Sequence, residues 1–269
     1  MAIVLNEYEW ADRMIHKKNL GNKPGETLSR VARYYFENGY SKREVRKLLD
    51  QFLVQCNPDA SLVQWSSSLD KIVKSAAKRP LIQIDEIVIT QTELDKIGEI
   101  ESKQLRRVAF AMLCVAKYWN AVSPDNNNWL NTSDKEIFQM ANVIRPGKNK
   151  DLMYGDLLSR GFIRSSKKID NLNVQVLFLD EADSPAAIRI TDFRNLGYQY
   201  MRYYGEPYFQ CEACGITVRE RSYSHKKCLR RDGRARDAGR KHKYCPECAA
   251  EIYIKQTVSS VMKQRKIKA

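Results

Sequence analysis

The sequence predicts a mainly α-helical chain with small β elements, divided into three modules. Apolar residues recur at helical spacing behind Ser/Thr-x-x-Glu capping boxes over much of the first 160 residues. Short β-branched runs interrupt that pattern between residues 81 and 180. Four of the seven cysteines form two Cys-x-x-Cys pairs near the C-terminal end. At about 150 residues per domain, 269 residues allow two domains or three small ones. The modules are 1–80, a helical bundle; 81–205, a helix-and-strand module; and 206–269, built around the cysteine pairs. Hydrophobic residues make up 43% of the chain, which excludes wholesale disorder.

In the first module, Glu7 to Lys17 reads as a short amphipathic helix, broken by Gly21, Pro24 and Gly25. From Glu26 the chain is helical again, with Leu28, Val31, Ala32, Tyr35 and Phe36 on one face. Gly39 ends this helix as a residue able to take positive φ. Ser41-Lys-Arg-Glu44 is a capping box that opens a second helix with Val45, Leu48, Leu49 and Phe52 on its apolar face. Asn57-Pro58 breaks it, and residues 61–77 form a third around Leu62, Trp65, Leu69, Ile72, Val73 and Ala76. The run 26–78 resembles the small helical domain at the C-terminal side of some phage and plasmid primases. Gly39-Tyr40-Ser41 and Cys56-Asn57-Pro58 stand where that domain has its helix junction and its Cys-x-Pro break. A plain three-helix bundle with no site of its own carries much of the same pattern.

In the second module, residues 81–89 read as a strand or extended linker, and Thr90-Gln-Thr-Glu93 as another capping box. Residues 105–119 form the helix expected to be most buried, and 123–128 a loop. Ser133-Asp-Lys-Glu136 opens a further helix, Arg145-Pro-Gly-Lys148 a turn, and residues 151–159 the last helix. Gly161-Phe-Ile-Arg164 leads into a strand, 167–171 is a turn, and 174–179 is a second strand. Helix, helix, turn, helix, strand, polar tip, strand is the order of a winged helix-turn-helix. Leu157-Leu-Ser-Arg-Gly-Phe-Ile-Arg164 resembles a recognition helix entering its wing. That winged-helix-like resemblance implies a helix in the major groove and a wing on the adjacent backbone. Lys148, Lys150 and Arg160 would flank the helix, and Arg164, Lys167 and Lys168 the wing, as phosphate donors. The module is nearly charge-balanced, and the same fold also serves purely protein–protein contacts.

In the third module, Cys211-Glu-Ala-Cys214 and Cys245-Pro-Glu-Cys248 each place two thiolates on a tight turn. Together they can close a tetrahedral four-cysteine site around one structural zinc ion, with no open position for chemistry. A redox role fits poorly, because there are two pairs and no βαβ pattern around them. His225, Cys228 and His242 lie between the pairs as further candidate ligands, or simply as residues of a basic insert. Cys56 and Cys114 read as buried thiols in helices. The ending Lys243-Tyr-Cys-Pro-Glu-Cys-Ala-Ala-Glu-Ile252 ahead of a basic helix resembles the zinc-ribbon tails of phage and mobile-element proteins. The 30-residue spacer between the pairs is longer than in those tails.

The charge is unevenly spread. The chain has 46 Lys+Arg against 32 Asp+Glu, a net +14. Residues 201–269 hold 17 basic against 7 acidic residues, so +10 of that surplus lies in the last 69. Residues 219–243 concentrate it in Arg219, Arg221, Lys226, Lys227, Arg230, Arg231, Arg234, Arg236, Arg240, Lys241 and Lys243, with Tyr223 and Tyr244 interleaved. Such a run suits a phosphate backbone, with aromatics available to stack on bases.

The sequence therefore reads as a DNA-binding or RNA-binding protein of phage type, DNA before RNA, acting in replication or transcription control from the cytoplasm, with no membrane partner. The alternative is an inhibitor or adaptor that binds a host polymerase, replication or defence protein. No Walker A, GxGxxG, HExxH or GxSxG motif is present, which points away from an enzyme. Asp180, Glu181 and Asp183 could suit a two-metal nuclease or primase site, and read better as a solvated turn.

Overall fold

The computed structural model describes residues 3–143, 149–167, 173–180, 184–220 and 243–267, with side chains through 258 apart from that of 149. It is mainly helical with small two-stranded sheets. Two compact units are present. One is built on residues 1–88, with 120–125 and 189–191; the other on 89–119, 126–188 and 192–269.

The first unit is a four-helix bundle of α1 (Glu7–Lys17), α2 (Pro24–Glu37), α3 (Lys42–Cys56) and α4 (Leu62–Ala76). Each helix starts where the local chemistry provides a cap. Asn6 accepts the Glu9 N–H at 3.0 Å, Pro24 stands at the first position of α2, and Ser41 and Glu44 form the full reciprocal box. Gly39 takes φ +84° just past α2, where a side chain would be strained. The apolar faces meet in a core of Leu28, Val31, Val45, Leu49, Phe52, Leu53, Leu69 and Val73. Tyr35, Phe36 and Cys56 sit only half-buried at its margin, so the Cys56 thiol is less enclosed than its helical setting suggests.

This core also encloses a charge cluster. Glu7 is fully buried, and its carboxylate accepts from Arg30 Nε at 2.7 Å, from Arg33 Nη1 and Nη2 at 2.6 and 3.0 Å, and from the Ile82 N–H at 3.0 Å. Burial opposes its ionisation, but these donors outweigh it and hold the carboxyl below the usual range. Residues 82–84 are extended against the start of α1, with Glu7 N–H on Ile82 O and Ile84 N–H on Leu5 O. Of the strand or extended linker expected over 81–89, β1 covers only Ile87–Thr90, and residues 82–84 bond to the chain around the start of α1.

The second unit is built around α6 (Lys103–Val122), in which every residue from Val108 to Ala116 is buried. Before it, α5 (Gln91–Gly98) begins with the capping box of Thr90 and Glu93. Glu93 is buried and holds Lys117 Nζ at 2.7 Å and the Asp180 N–H at 3.0 Å. The Thr90 hydroxyl donates to Asp180 at 3.1 Å, so Asp180 is pinned to the start of α5 and not loose in a turn. Glu181 and Asp183 lie outside the described residues.

After α6 come α7 (Asp134–Met140), α8 (Asn149–Ser159), β2 (Ile163–Ser165) and β3 (Val174–Val176). The capping box expected at Ser133 does not form. The Glu136 N–H is taken by the Ser133 carbonyl at 3.0 Å, and the Ser133 hydroxyl donates to the Glu136 carboxylate instead. β2 and β3 pair antiparallel, with Ile163 opposite Val176 and Ser165 opposite Val174. Residues 128–130, expected as the end of a loop and a connector, line β3 on its other side: Leu130 N–H bonds Val174 O, Val176 N–H bonds Asn128 O, and Trp129 faces Gln175. Asn127 and Asn128 turn into this segment with φ of 51° and 64°, which asparagine tolerates better than most residues.

The chain continues through β4 (Ala186–Ile190), paired with β1, to α9 (Leu196–Tyr203). It ends in the hairpin of β5 (Tyr208–Gln210) and β6 (Thr217–Arg219) and the long helix α10 (Pro246–Ile267). No helix among the described residues is long and apolar enough to cross a membrane.

Candidate metal centre

The β5–β6 hairpin carries the first cysteine pair at its tip. Gln210 faces Thr217 as the last paired residues, and the chain turns through Cys211 to Ile216. Cys211 N–H bonds Ile216 O at 2.9 Å and Gly215 N–H bonds Cys211 O at 2.9 Å. Gly215 has φ +75°, which closes the turn and aims both thiols to one side. The second pair sits where α10 begins. Cys245 precedes Pro246 at the first helical position, and Cys248 lies in the first turn. Helix N–H groups and the positive end of the dipole face these sulfurs.

All four sulfurs, of Cys211, Cys214, Cys245 and Cys248, lie within 4.8 Å of one another, and Cys214 Sγ is 3.8 Å from Cys245 Sγ. Metal–sulfur bonds of about 2.3 Å in a tetrahedron require sulfurs about 3.8 Å apart. The separation is far beyond a disulfide bond of about 2.05 Å. The donor set therefore fits one metal ion. Backbone amides complete the cage: Cys245 N–H points at Cys211 Sγ at 3.2 Å, and Cys248 N–H at Cys245 Sγ at 3.5 Å.

Burial opposes the Cys211 thiolate, but the N–H groups of Cys245, Cys214 and Ala213 pull its pKa down to about 6. Burial and the neighbouring cysteines push Cys248 up, and burial raises Cys214. Four sulfurs this close cannot all ionise unless a cation shares them.

The cluster is tied to the rest of its unit by residues that the sequence did not mark. Arg194 Nη2 donates to Cys214 O at 2.7 Å while its guanidinium is held by Asp192. Asn195 Nδ2 donates to Thr217 O at 2.9 Å, and its Oδ1 accepts from Asn142 Nδ2 at 2.8 Å. Asn142 Oδ1 in turn takes the Tyr198 N–H. Both asparagines have φ of 56°. Gly197 packs so tightly here that a Cβ would stand 2.0 Å from Ala141 O. The only sequence signal was an asparagine and a glycine two apart at the start of a helix.

Of the cationic residues marked in the sequence, Arg221, Lys226, Lys227, Arg230, Arg231, Arg234, Arg236, Arg240, Lys241, Lys148 and Lys168 lie outside the described residues, as do His225, Cys228 and His242. Arg219 is exposed at the end of β6, and Lys243 pairs with Glu212 at 3.5 Å. Lys150 is paired with Asp134, Arg160 with Asp156 at 2.7 Å, and Arg164 with the Gln175 side chain; Lys167 is exposed. The structure thus brings the four cysteines together, but gives three of the four described cations beside α8 and β2 an intramolecular partner. No family model, curated protein or solved structure matches the chain.

Proposed function

We propose that the protein is a non-enzymatic nucleic-acid-binding protein whose C-terminal module is a zinc ribbon carrying a basic insert, with DNA as its first partner. One observation carries the reading. The basic run 219–243 is anchored at both ends on the module that carries the cysteines: Glu220 N–H bonds Pro207 O at the base of the β5–β6 hairpin, and Glu212 N–H, between the first two cysteines, bonds Lys243 O. Zinc is the ion of choice for four thiolates in a tetrahedron, and it would act structurally, since four protein ligands leave no open position. The cage would fix where the cationic segment leaves and re-enters the fold. The segment would then hold phosphates by charge.

The order of α6, residues 128–130, α7, α8, β2 and β3 supports reading the middle as a winged helix, in which a short strand between the first two helices joins the wing hairpin. Phage membership and a role in replication or transcription control remain part of the proposal.

The test is binding of labelled single- and double-stranded DNA and RNA across a salt series, with metal content measured in the same samples. A steep fall of log K with log salt that flattens on neutralising Arg230, Arg231, Arg234 and Arg236 is expected. Absence of binding at low salt would overturn the reading.

A second reading concerns the winged-helix-like part alone. Leu152 is 71% and Leu158 39% exposed on α8, while Lys150 and Arg160 are engaged by carboxylates. An exposed leucine beside neutralised cations suits a host protein better than a phosphate backbone, and favours an adaptor role for α8. Leu152→Asp would abolish capture of such a partner and leave DNA affinity unchanged.

A further inference from the structure

The first 200 residues hold only +4 of the net charge, yet the bundle folds a strongly basic cleft from them. α3 and α4 pack so that the start of one lies beside the end of the other. Between them a cleft of about 580 Å³ is lined by Lys42, Arg43, Arg46, Lys47 and Lys74, with Val73 and Asp70. Five cations face one carboxylate. Arg46 is held in place and neutralised by Asp70 at 2.8 Å and by Asp50, so the cleft's uncompensated charge rests on Lys42, Arg43, Lys47 and Lys74. Lys42, Arg43 and Lys74 make no ion pair among the described residues and are exposed.

Fold stability does not account for this placement. Lys42 and Arg43 occupy the first turn of α3, the positive end of the helix, where acidic residues are favoured and cations cost free energy. Only Glu44 offsets them, and its carboxylate is already engaged by the Ser41 N–H. Cations gathered against the helix dipole around an open cleft suit an anion that fills it. A cleft with cations on both walls suits a run of linked phosphates better than a single ion.

We propose that the α3–α4 cleft is a second nucleic-acid contact, gripping the phosphodiester backbone through Lys42, Arg43, Lys47 and Lys74. It shares the partner class of the proposed function but not its site, and needs neither the metal nor the basic insert.

Three variants of the full chain decide it: K42A/R43A/K47A/K74A in the cleft, R230A/R231A/R234A/R236A in the insert, and K17A/K18A/R13A on α1 as a charge control. Each is titrated with labelled 30-nucleotide single- and double-stranded DNA at several salt concentrations. Far-UV circular dichroism and thermal melting establish that the bundle is folded. The cleft variant should lose at least tenfold in affinity at low salt. Its log K against log salt should flatten on duplex by up to about 3–4, at roughly 0.9 for each phosphate no longer neutralised. That loss should persist in the insert variant's background. Wild-type binding by the cleft variant, or an equal loss in the α1 control, overturns the cleft. A loss confined to the cleft variant, with the insert variant unchanged, upholds the cleft and overturns the basic insert as the binding site.

Discussion

Replacing Gly197 with alanine tests how closely α9 is seated. The added Cβ would stand 2.0 Å from the Ala141 carbonyl oxygen, 2.6 Å from its carbon and 3.1 Å from Asn142 Oδ1. A relaxed carbon–oxygen approach is about 3.3 Å, so α9 or the end of α7 must move by more than about 1 Å. The obstacle is backbone, and cannot swing aside as a side chain would. Overpacking of this kind costs about 1–3 kcal/mol. Alanine in place of a helical glycine returns at most about 1 kcal/mol, and because the obstacle is backbone the overpacking cost falls at the upper end of its range, so a net loss of up to ~2 kcal/mol is expected. At roughly 2–4 °C per kcal/mol for a unit of this size, the melting temperature should fall by up to about 8 °C. The assay is thermal and urea unfolding by circular dichroism, with Gly155→Ala alongside. Gly155 lies within α8 where a Cβ meets nothing, so that variant should hold or gain stability. If Gly197→Ala melts at or above the wild type, the close approach of α9 is wrong.

Other expectations follow from the same geometry. Cys211→Ser should lower bound metal from one ion per chain to none, whereas Cys56→Ser should leave it at one, as read by elemental analysis; metal retention should weaken as pH falls, because each ligating thiol must shed a proton. Glu7→Gln leaves Arg30 and Arg33 buried without their carboxylate, and should cost about 3–5 kcal/mol in urea unfolding at neutral pH. Because the folded Glu7 carboxyl ionises below the ordinary range, its contribution is full above the unfolded pKa of about 4.3 and is lost as pH falls through the folded value, so the variant should show a flatter acid limb than the wild type. Asn195→Gly keeps the positive φ but removes the bonds to Asn142 and Thr217, so a chelator should strip metal faster at unchanged helix content; an unchanged stripping rate would show that the relay does not brace the cage.

The helices were legible because their ends are local. Ser41, Ser61 and Thr90 act within three or four residues of themselves, and a short window of sequence holds the whole interaction, whereas Pro24, read as a break, instead begins α2 at its first position. The cysteine cluster was legible for the same reason, since each Cys-x-x-Cys makes its own turn. Ser133 shows the limit: the motif is present, but a backbone carbonyl already satisfies the amide it would cap. Glu7 was not legible, because a glutamate in the first turn of an amphipathic helix reads as solvated. Its partners lie 23 and 26 residues away, and nothing local announces them. The Asn142–Asn195–Thr217 relay was hidden likewise, since asparagine near a helix end looks like an ordinary turn. The basic cleft vanished into an average, with Lys42, Arg43 and Lys47 offset along the chain by Glu44 and Asp50, and with Lys74 brought in from α4 only by the fold.

The clamp at Glu220 and Lys243 has a consequence for how such a protein can change over time. The backbone bonds that fix Glu220 and Lys243 are made to Pro207 at the base of the β5–β6 hairpin and to Glu212 in the first cysteine turn. Lengthening a closed loop twofold costs only about 0.6 kcal/mol. A change in the length of the sequence between those two anchors should therefore cost the fold that carries them little. Under the proposed function, the chemistry of that segment could be rewritten while the cysteine cluster, α9 and the core beneath stay as they are.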